Sequence, residues 1–586
     1  MSDAIERAKK FLSEERAFRL GELLTESFHP KTRELSQIAK DDLVAAIRML
    51  QSVDWEIPPA TEKVFGQDVF AELVAAFTRA MDNGRRIYFA GCGATGRLSI
   101  LLEAAWRRFW REHPEVSAKL PRMEDRTISV MAGGDFALIK SVEGFEDFPD
   151  FGRFQLRQAG VKAGDVVVAI TEGGETPFVI GTAWEGLDAG AEVFFVYNNP
   201  TDVLRRHVQR SREVIEEPRI RKLDLTTGPM AITGSTRMQA TTAELLVVGA
   251  ALETALARFL QEHLSEPDRA ELGLQAHSSG DYHRMFVNLL SELSNSAAVR
   301  TMAGATSFEE NIYRQHGLIT YMTDWAMLDV LTDTTERSPT FMLPPFRKND
   351  DNSSPRPWAF VKDPLRPTQE AWREMLQREP RGLLWDADIY EQLNAPTTLK
   401  ANPPRLDNSE IYKFQIGNEP DPSRTDAPDS AMVLIDVGGE RHNFVGAALE
   451  KFGPQYRKTA AITIGTPAKP QTDEVFGFDC ELPSSLLRLW NHLAVKLVLN
   501  TISTATMVRM GRVVCNAMVW LSPSNKKLID RGCRLISQQT GCSYEQACID
   551  LHVAMEQVQS QQEQGKEVPS PVALAIERIR AKHDKS

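Results

Sequence analysis

The chain reads as an α/β protein built from two doubly wound, flavodoxin- or Rossmann-like parallel-sheet domains in tandem, followed by a helical module. Three observations predict this. Short runs rich in Val, Ile and Phe alternate with longer amphipathic stretches, the alternation begins twice, and parts of the two series can be laid on each other without gaps. Strand-length runs separated by helix-length segments indicate βαβ units, in which helices cover a parallel sheet.

Residues 1–55 read as helices broken by turns, with "LLTESFHPKTREL" as an irregular connection. The first domain is expected over 56–270, with strands in "RRIYFAG", "TISVMAGG", "DVVVAIT" and "EVFFVYNN". The second is expected over 271–505, with strands in "LITYMT", "AMVLIDV" and "AAITIG". A Pro-, Asp- and Asn-rich insertion at about 344–430 separates the first two of these. Residues 506–586 read as the helical module.

The repeat is the most informative feature. "ITEGGETPFVIGTA" (170–183) lies on "IDVGGERHNFVGAA" (435–448), and "AELLVVGAALETA" (243–255) lies on "VKLVLNTISTATM" (495–507). "YFAGCGATGRLSILLEAA" (88–105) matches "ITYMTDWAMLDVLTDTTE" (319–336) in pattern, yet only the first copy has the glycines. A turn that one copy makes with bulky and acidic residues does not need glycine for the fold alone. The glycines of "GCGATGRLS" therefore point to close approach of a ligand, and a Gly-rich strand-to-helix turn is a ready anion site.

The chain has 586 residues and a formal net charge of −12, which argues against nucleic acid as its main partner. The N-terminus is charged throughout, and no stretch approaches bilayer length, so no membrane association is expected. Six cysteines without metal-ligand or C-x-x-C spacing suit reduced thiols in a cytoplasmic protein. Cys92 stands at a helix entry, where a thiol pKa can be lowered.

Five segments, in order, carry a resemblance: "LLTESFHPKTREL", "GCGATGRLS", "MAGGDFALIKSVEGFED", "GPMAITGSTRMQATTAELLV" and "KLVLNTISTATMVRMGRVVCNAMVWLSPSNKKLIDR". Together they resemble the sugar isomerase (SIS) domain family. Within it they resemble the group of bacterial N-acetylmuramic acid 6-phosphate etherases and the animal glucokinase regulatory protein. The likeness spans most of the chain except 344–430 and the extreme C-terminus. The two-copy layout is similar to the regulatory protein, whereas the etherases have one copy per chain and pair as dimers.

The resemblance implies a sugar phosphate held by the first turn (Gly93, Ala94, Thr95, with Arg97 opening the helix) and the second (Thr171, Glu172, Gly173). Ser235, Thr236 and Arg237 of "GSTRM" are implied near the same pocket, and Lys496 is implied to reach the phosphate from the second half. The matching first-half position is Glu244, which repels phosphate, so one composite site is expected and its mirror is not. Etherase chemistry needs two carboxylates, one to remove the proton α to the C1 aldehyde and one to protonate the departing lactate oxygen. These fall on Glu146 as base, with Glu143 a neighbouring ligand contact, and on Glu336 as acid; the first-half acid position is Ala105. The blander alternatives are a helix N-terminal residue for Glu146 and a solvated helix residue for Glu336. "TEGGET" departs from the family by placing carboxylates beside a phosphate, and Gln239 replaces a family lysine.

Three functions stay open: a carbon–oxygen lyase of etherase type in amino sugar metabolism, a non-catalytic sugar-phosphate sensor regulating a sugar kinase, and an aldose–ketose isomerase. No metal or other cofactor is implied.

Overall fold

The computed structural model describes residues 3–142, 144–439, 443–465, 469–563 and 569–583. The first sheet contains β1 (Ile87–Gly91), β2 (Thr127–Met131), β3 (Val166–Ile170), β4 (Glu192–Tyr197) and β5 (Ile220–Asp224), in the order β2-β1-β3-β4-β5. Every pairing is parallel, with Ile87 level with Thr127 on one side and Val166 on the other. The second sheet contains β6 (Ile319–Met322), β7 (Ala359–Lys362), β8 (Ala431–Val437), β9 (Lys458–Ile464) and β10 (Glu474–Phe478). Its order, β7-β6-β8-β9-β10, repeats that of the first, and it too is parallel. Strands such as β1, β3 and β8 are buried at every residue, as a sheet covered on both faces requires. A hairpin, β11 (Val513–Val514) with β12 (Ala517–Met518), follows.

Two features depart from the sequence reading. The stretch 344–430 is not wholly an insertion, because it contains β7, an edge strand of the second sheet. The edge strands β5 and β10 were also missed, since "IRKLD" is mostly charged and "EVFGF" is a short run exposed at Glu474, Val475 and Gly477.

The helices that matter for the site are α1 (Gly93–Glu112), α2 (Pro177–Asp188), α3 (Gln239–His263), α4 (Met327–Phe341), α5 (Leu489–Arg509) and α6 (Lys526–Thr540). Helices α1 and α4 follow the first strands of their sheets, and α3 and α5 follow the last. Helix α1 packs on α4, and α3 packs on α5, so the halves face each other through equivalent elements. The expected boundary at 505 falls inside α5. The N-terminal segment is also divided: Ala8 and Phe11 of helix Asp3–Glu14 share a core with Leu521, Cys533, Leu551 and Ile576 of the C-terminal helices.

A strap from the second half crosses to the first. Arg381 pairs with Glu103 at 2.7 Å, Arg378 pairs with Asp135 at 2.5 Å, and Trp385 stacks on Phe145 at 5.5 Å. No helix among the described residues is long and apolar enough to cross a membrane.

Candidate functional site

In the order β2-β1-β3, the chain leaves β1 and β3 in opposite directions, and such a switch point opens a crevice at the carboxyl ends of the strands. The turns after β1 and β3 flank it. After β1 only Cys92 precedes α1, and the glycines are needed for that tightness. A Cβ on Gly91 would lie 2.5 Å from the Thr95 backbone, and one on Gly96 would lie 2.6 Å from Met131 Cγ. Gly93 has φ +52 with nothing within 4 Å of a Cβ position. The second half spreads the same passage over Thr323–Ala326, a longer path that needs no glycine. The contrast in glycine content therefore reflects turn length, which corrects the inference drawn from it; the open side of Gly93 is what remains.

Thr95 is turned toward the backbone that opens its own helix. It is buried, accepts from Cys92 N at 3.0 Å and donates to Cys92 O at 2.9 Å, closing a capping box at the start of α1. The Cys92 thiol is raised rather than lowered: burial comes first, and the carboxylates Glu146, Glu172 and Glu175 add to it.

Those three carboxylates gather beneath α6. Glu146, on a short 3-10 turn, accepts a hydrogen bond from Asn525 Nδ2, the N-cap of α6. Burial raises its pKa, with Lys527 and Arg531 opposing and Glu175 and Glu336 adding. In the turn after β3, Thr171 and Thr176 join through their hydroxyls at 3.0 Å. Glu172 accepts from Thr236 Oγ1 at 3.3 Å and is pushed up to about 7, first by burial. Glu175 pairs with Lys527 at 2.7 Å and Arg210 at 2.8 Å. Glu244 is buried with Asn198 Nδ2 3.2 Å from one oxygen, and burial and then Glu172 raise it well above its usual range. Glu143 lies outside the described residues.

Next to this group, a cavity between the halves is lined by Ala94, Arg97, Arg237, Glu336, Lys496 and Asn500, among others. The solvated reading of Glu336 fails here, because the residue is 7% exposed and pairs with the buried guanidinium of Arg97. Arg97 also donates to Leu138 O at 2.9 Å and Thr335 Oγ1 at 3.3 Å. Arg237 is spent on Asp333 at 3.1 Å and on the hydroxyls of Ser503 and Thr504, both at 3.1 Å. Lys496 Nζ donates to Arg237 O at 2.6 Å; burial, then Arg237, lowers it to about 8. Ser235 Oγ is buried without a hydrogen-bond partner among the described residues. Gln239, in place of the family lysine, donates to Asp54 Oδ1 at 2.7 Å, and burial raises that carboxyl to about 7.

The structure thus brings Ala94, Arg97, Arg237, Glu336 and Lys496 to one cavity, with Glu146, Glu172 and Thr236 in electrostatic or hydrogen-bond contact beside it. It spends Thr95 on capping. Sequence reasoning assigned no role to Asn525, Lys527 or Arg210, although "NKKLIDR" lay within a segment already singled out.

Twin parallel sheets with this strand order and a crevice at the first sheet's switch point define a doubly wound α/β protein. Residues 69–185 match the model of the glucokinase regulatory protein N-terminal SIS domain. The chain is 32% identical over 240 residues to an N-acetylmuramic acid 6-phosphate etherase from Synechococcus sp. (strain CC9902), covering 41% of this chain and 67% of that protein. A protein of the same name from Bacillus subtilis (strain 168) is 30% identical over 229 residues, 39% of this chain and 67% of its own. Among solved structures, the C-terminal domain of glucosamine-fructose-6-phosphate aminotransferase from Francisella tularensis aligns at TM-score 0.43 and 11% identity, over 80% of this chain and 96% of that one. The chain belongs to the SIS family, in the group that holds the etherases and the glucokinase regulatory protein.

Proposed function

We propose that the protein binds a sugar phosphate at the crevice between β1 and β3 and cleaves the lactyl ether of N-acetylmuramic acid 6-phosphate or a closely similar sugar. One observation carries this reading: Glu336 from the second half lines one cavity with Ala94 and Arg97 of the first half's turn, and Glu146 lies within reach of its charge. A carboxyl whose pKa is raised by burial suits proton transfer near neutral pH. Glu146 takes the C2 proton of the opened sugar, and Glu336 delivers a proton to the ether oxygen as lactate leaves. For that step Glu336 has to leave Arg97 and take up a proton from solvent as ligand enters, so that it holds the proton it passes to the ether oxygen. Lys496, at about 8, is largely an ammonium at neutral pH and contributes positive charge to the cavity.

The test is incubation with N-acetylmuramic acid 6-phosphate in D₂O, assaying D-lactate and deuterium at C2. Lactate with C2 exchange is the expected result. The Arg97–Glu336 pair favours a second reading, a sensor in which the carboxylates only contact ligand and the partner is a sugar kinase. Binding with neither lactate nor exchange would select that reading, and exchange with a ketose product would select an isomerase.

A further inference from the structure

The turn after β3 contains an anion of its own. Glu175 is 1% exposed, and its two oxygens are taken by different cations: Oε1 by Lys527 Nζ at 2.7 Å and Oε2 by Arg210 Nη2 at 2.8 Å. Arg210 also donates to the Glu175 carbonyl and to Ala17 O, and lies over the Phe18 ring, so it is fixed from several sides. The Glu175 carboxylate bends back over its own turn, since a Cβ on Gly173 would lie 3.0 Å from Oε1. It also comes near enough to the start of α1 to raise the Cys92 thiol. The cations that line the neighbouring cavity, Arg97, Arg237 and Lys496, are engaged with Glu336, Asp333 and a carbonyl, and Lys527 stands outside that lining, against the turn after β3. Lys527 and Arg210 are thus the cations that meet the turn after β3, and Glu175 holds both.

The geometry points to Glu175 as the residue that sets this site's selectivity for phosphate. Its carboxylate occupies the anion position beside Lys527 and Arg210, and a ligand phosphate binds only by displacing it. The inference rests on the reading of the crevice as a sugar-phosphate site. A carboxylate standing at the phosphate position competes with the phosphate group of a ligand and not with the rest of the sugar, whose lactyl carboxylate is present with or without the phosphate. Removing its charge therefore strengthens binding of the phosphorylated sugar while leaving its unphosphorylated counterpart unchanged.

The experiment is calorimetric titration of wild type, Glu175→Gln, Glu175→Ser and Glu175→Gln/Lys527→Met with N-acetylmuramic acid 6-phosphate and with unphosphorylated N-acetylmuramic acid. A charge-assisted contact released to the ligand corresponds to about 10- to 100-fold tighter binding of the phosphorylated sugar. That gain is expected in both single variants and absent in the double variant; the serine variant guards against a glutamine that merely keeps the old contacts. Unchanged or weaker binding in both single variants, with wild type still binding, overturns the role of Glu175 and leaves the phosphosugar reading standing. An equal gain for the unphosphorylated sugar also overturns it. No binding of the phosphorylated sugar by any variant overturns both.

Discussion

The two halves share a strand order but differ in how each chain passes from its first strand into the helix that follows. In the first half a single residue makes the passage, so Gly91 and Gly96 are pressed against backbone and Met131, and Gly93 adopts positive φ with open space beyond it. In the second half Thr323–Ala326 make a wider turn, and Asp324 is closed over by Arg366 at 2.8 Å, with Asp363 on the same guanidinium at 2.8 Å. The comparison shows that one duplicated scaffold can have an open crevice at one switch point and an ion-paired turn at the other. It also shows why residue contrast alone misleads: a change in turn length alters glycine content without any ligand.

The largest expected effect separates the halves by stability. Arg97→Met leaves Glu336 buried without its cation, and breaking such a pair costs about 3–5 kcal/mol. In the second half, Arg366→Met removes a pair whose arginine is 24% exposed, and should cost clearly less. Chemical denaturation of both variants checks this, and equal losses would erase the distinction. Next, Glu146→Gln should lower lactate release and C2 exchange by about 10²-fold or more. Glu336→Gln should suppress lactate release while exchange survives, because the proton can leave before the ether breaks. One ligand per chain is expected in titration, and two equivalent sites would show that the second crevice opens.

A pH effect follows from Asp54, whose folded-state value of about 7 lies above its usual 3.8. The stability that this group contributes is fully present below about 4 and is lost as pH rises through about 7. Asp54→Asn should abolish that fall and be the more stable protein at pH 8, by on the order of a few kcal/mol. Denaturation midpoints at pH 5 and 8 that move in parallel for variant and wild type would contradict it. The smallest effect concerns the turn itself. Gly93→Ala, forced into left-handed backbone, should cost about 1–2 kcal/mol, whereas Ala326→Gly in the second half should shift the melting temperature little.

Much of the fold was legible because parallel strands buried on both faces are near-continuous apolar runs, as "VVVAI" and "AMVLI" are. The edge strands β5 and β10 are part-exposed and lack such a run, and β7, though buried, is only four residues long inside a Pro- and Asp-rich stretch. For the site, local motifs marked the turns, and the use of Thr95 is local, but the uses of the arginines were decided by distant partners. Thr95 caps its own helix, Arg97 crosses to Glu336, and Arg237 turns to Asp333 and α5.

By itself the sequence determined the duplicated α/β plan, the family, and which turns border the crevice, because periodicity and short motifs are properties of neighbouring residues. Only the tertiary structure decided which charges meet. Glu146 and Asn525 are 379 positions apart, and Glu175 and Lys527 are 352 apart. Whether a carboxylate is paired, raised by burial or left to act on a ligand depends on what folding brings against it. Here packing joins the first half's turns, the second half's Glu336 and the C-terminal helix α6 into one electrostatic unit.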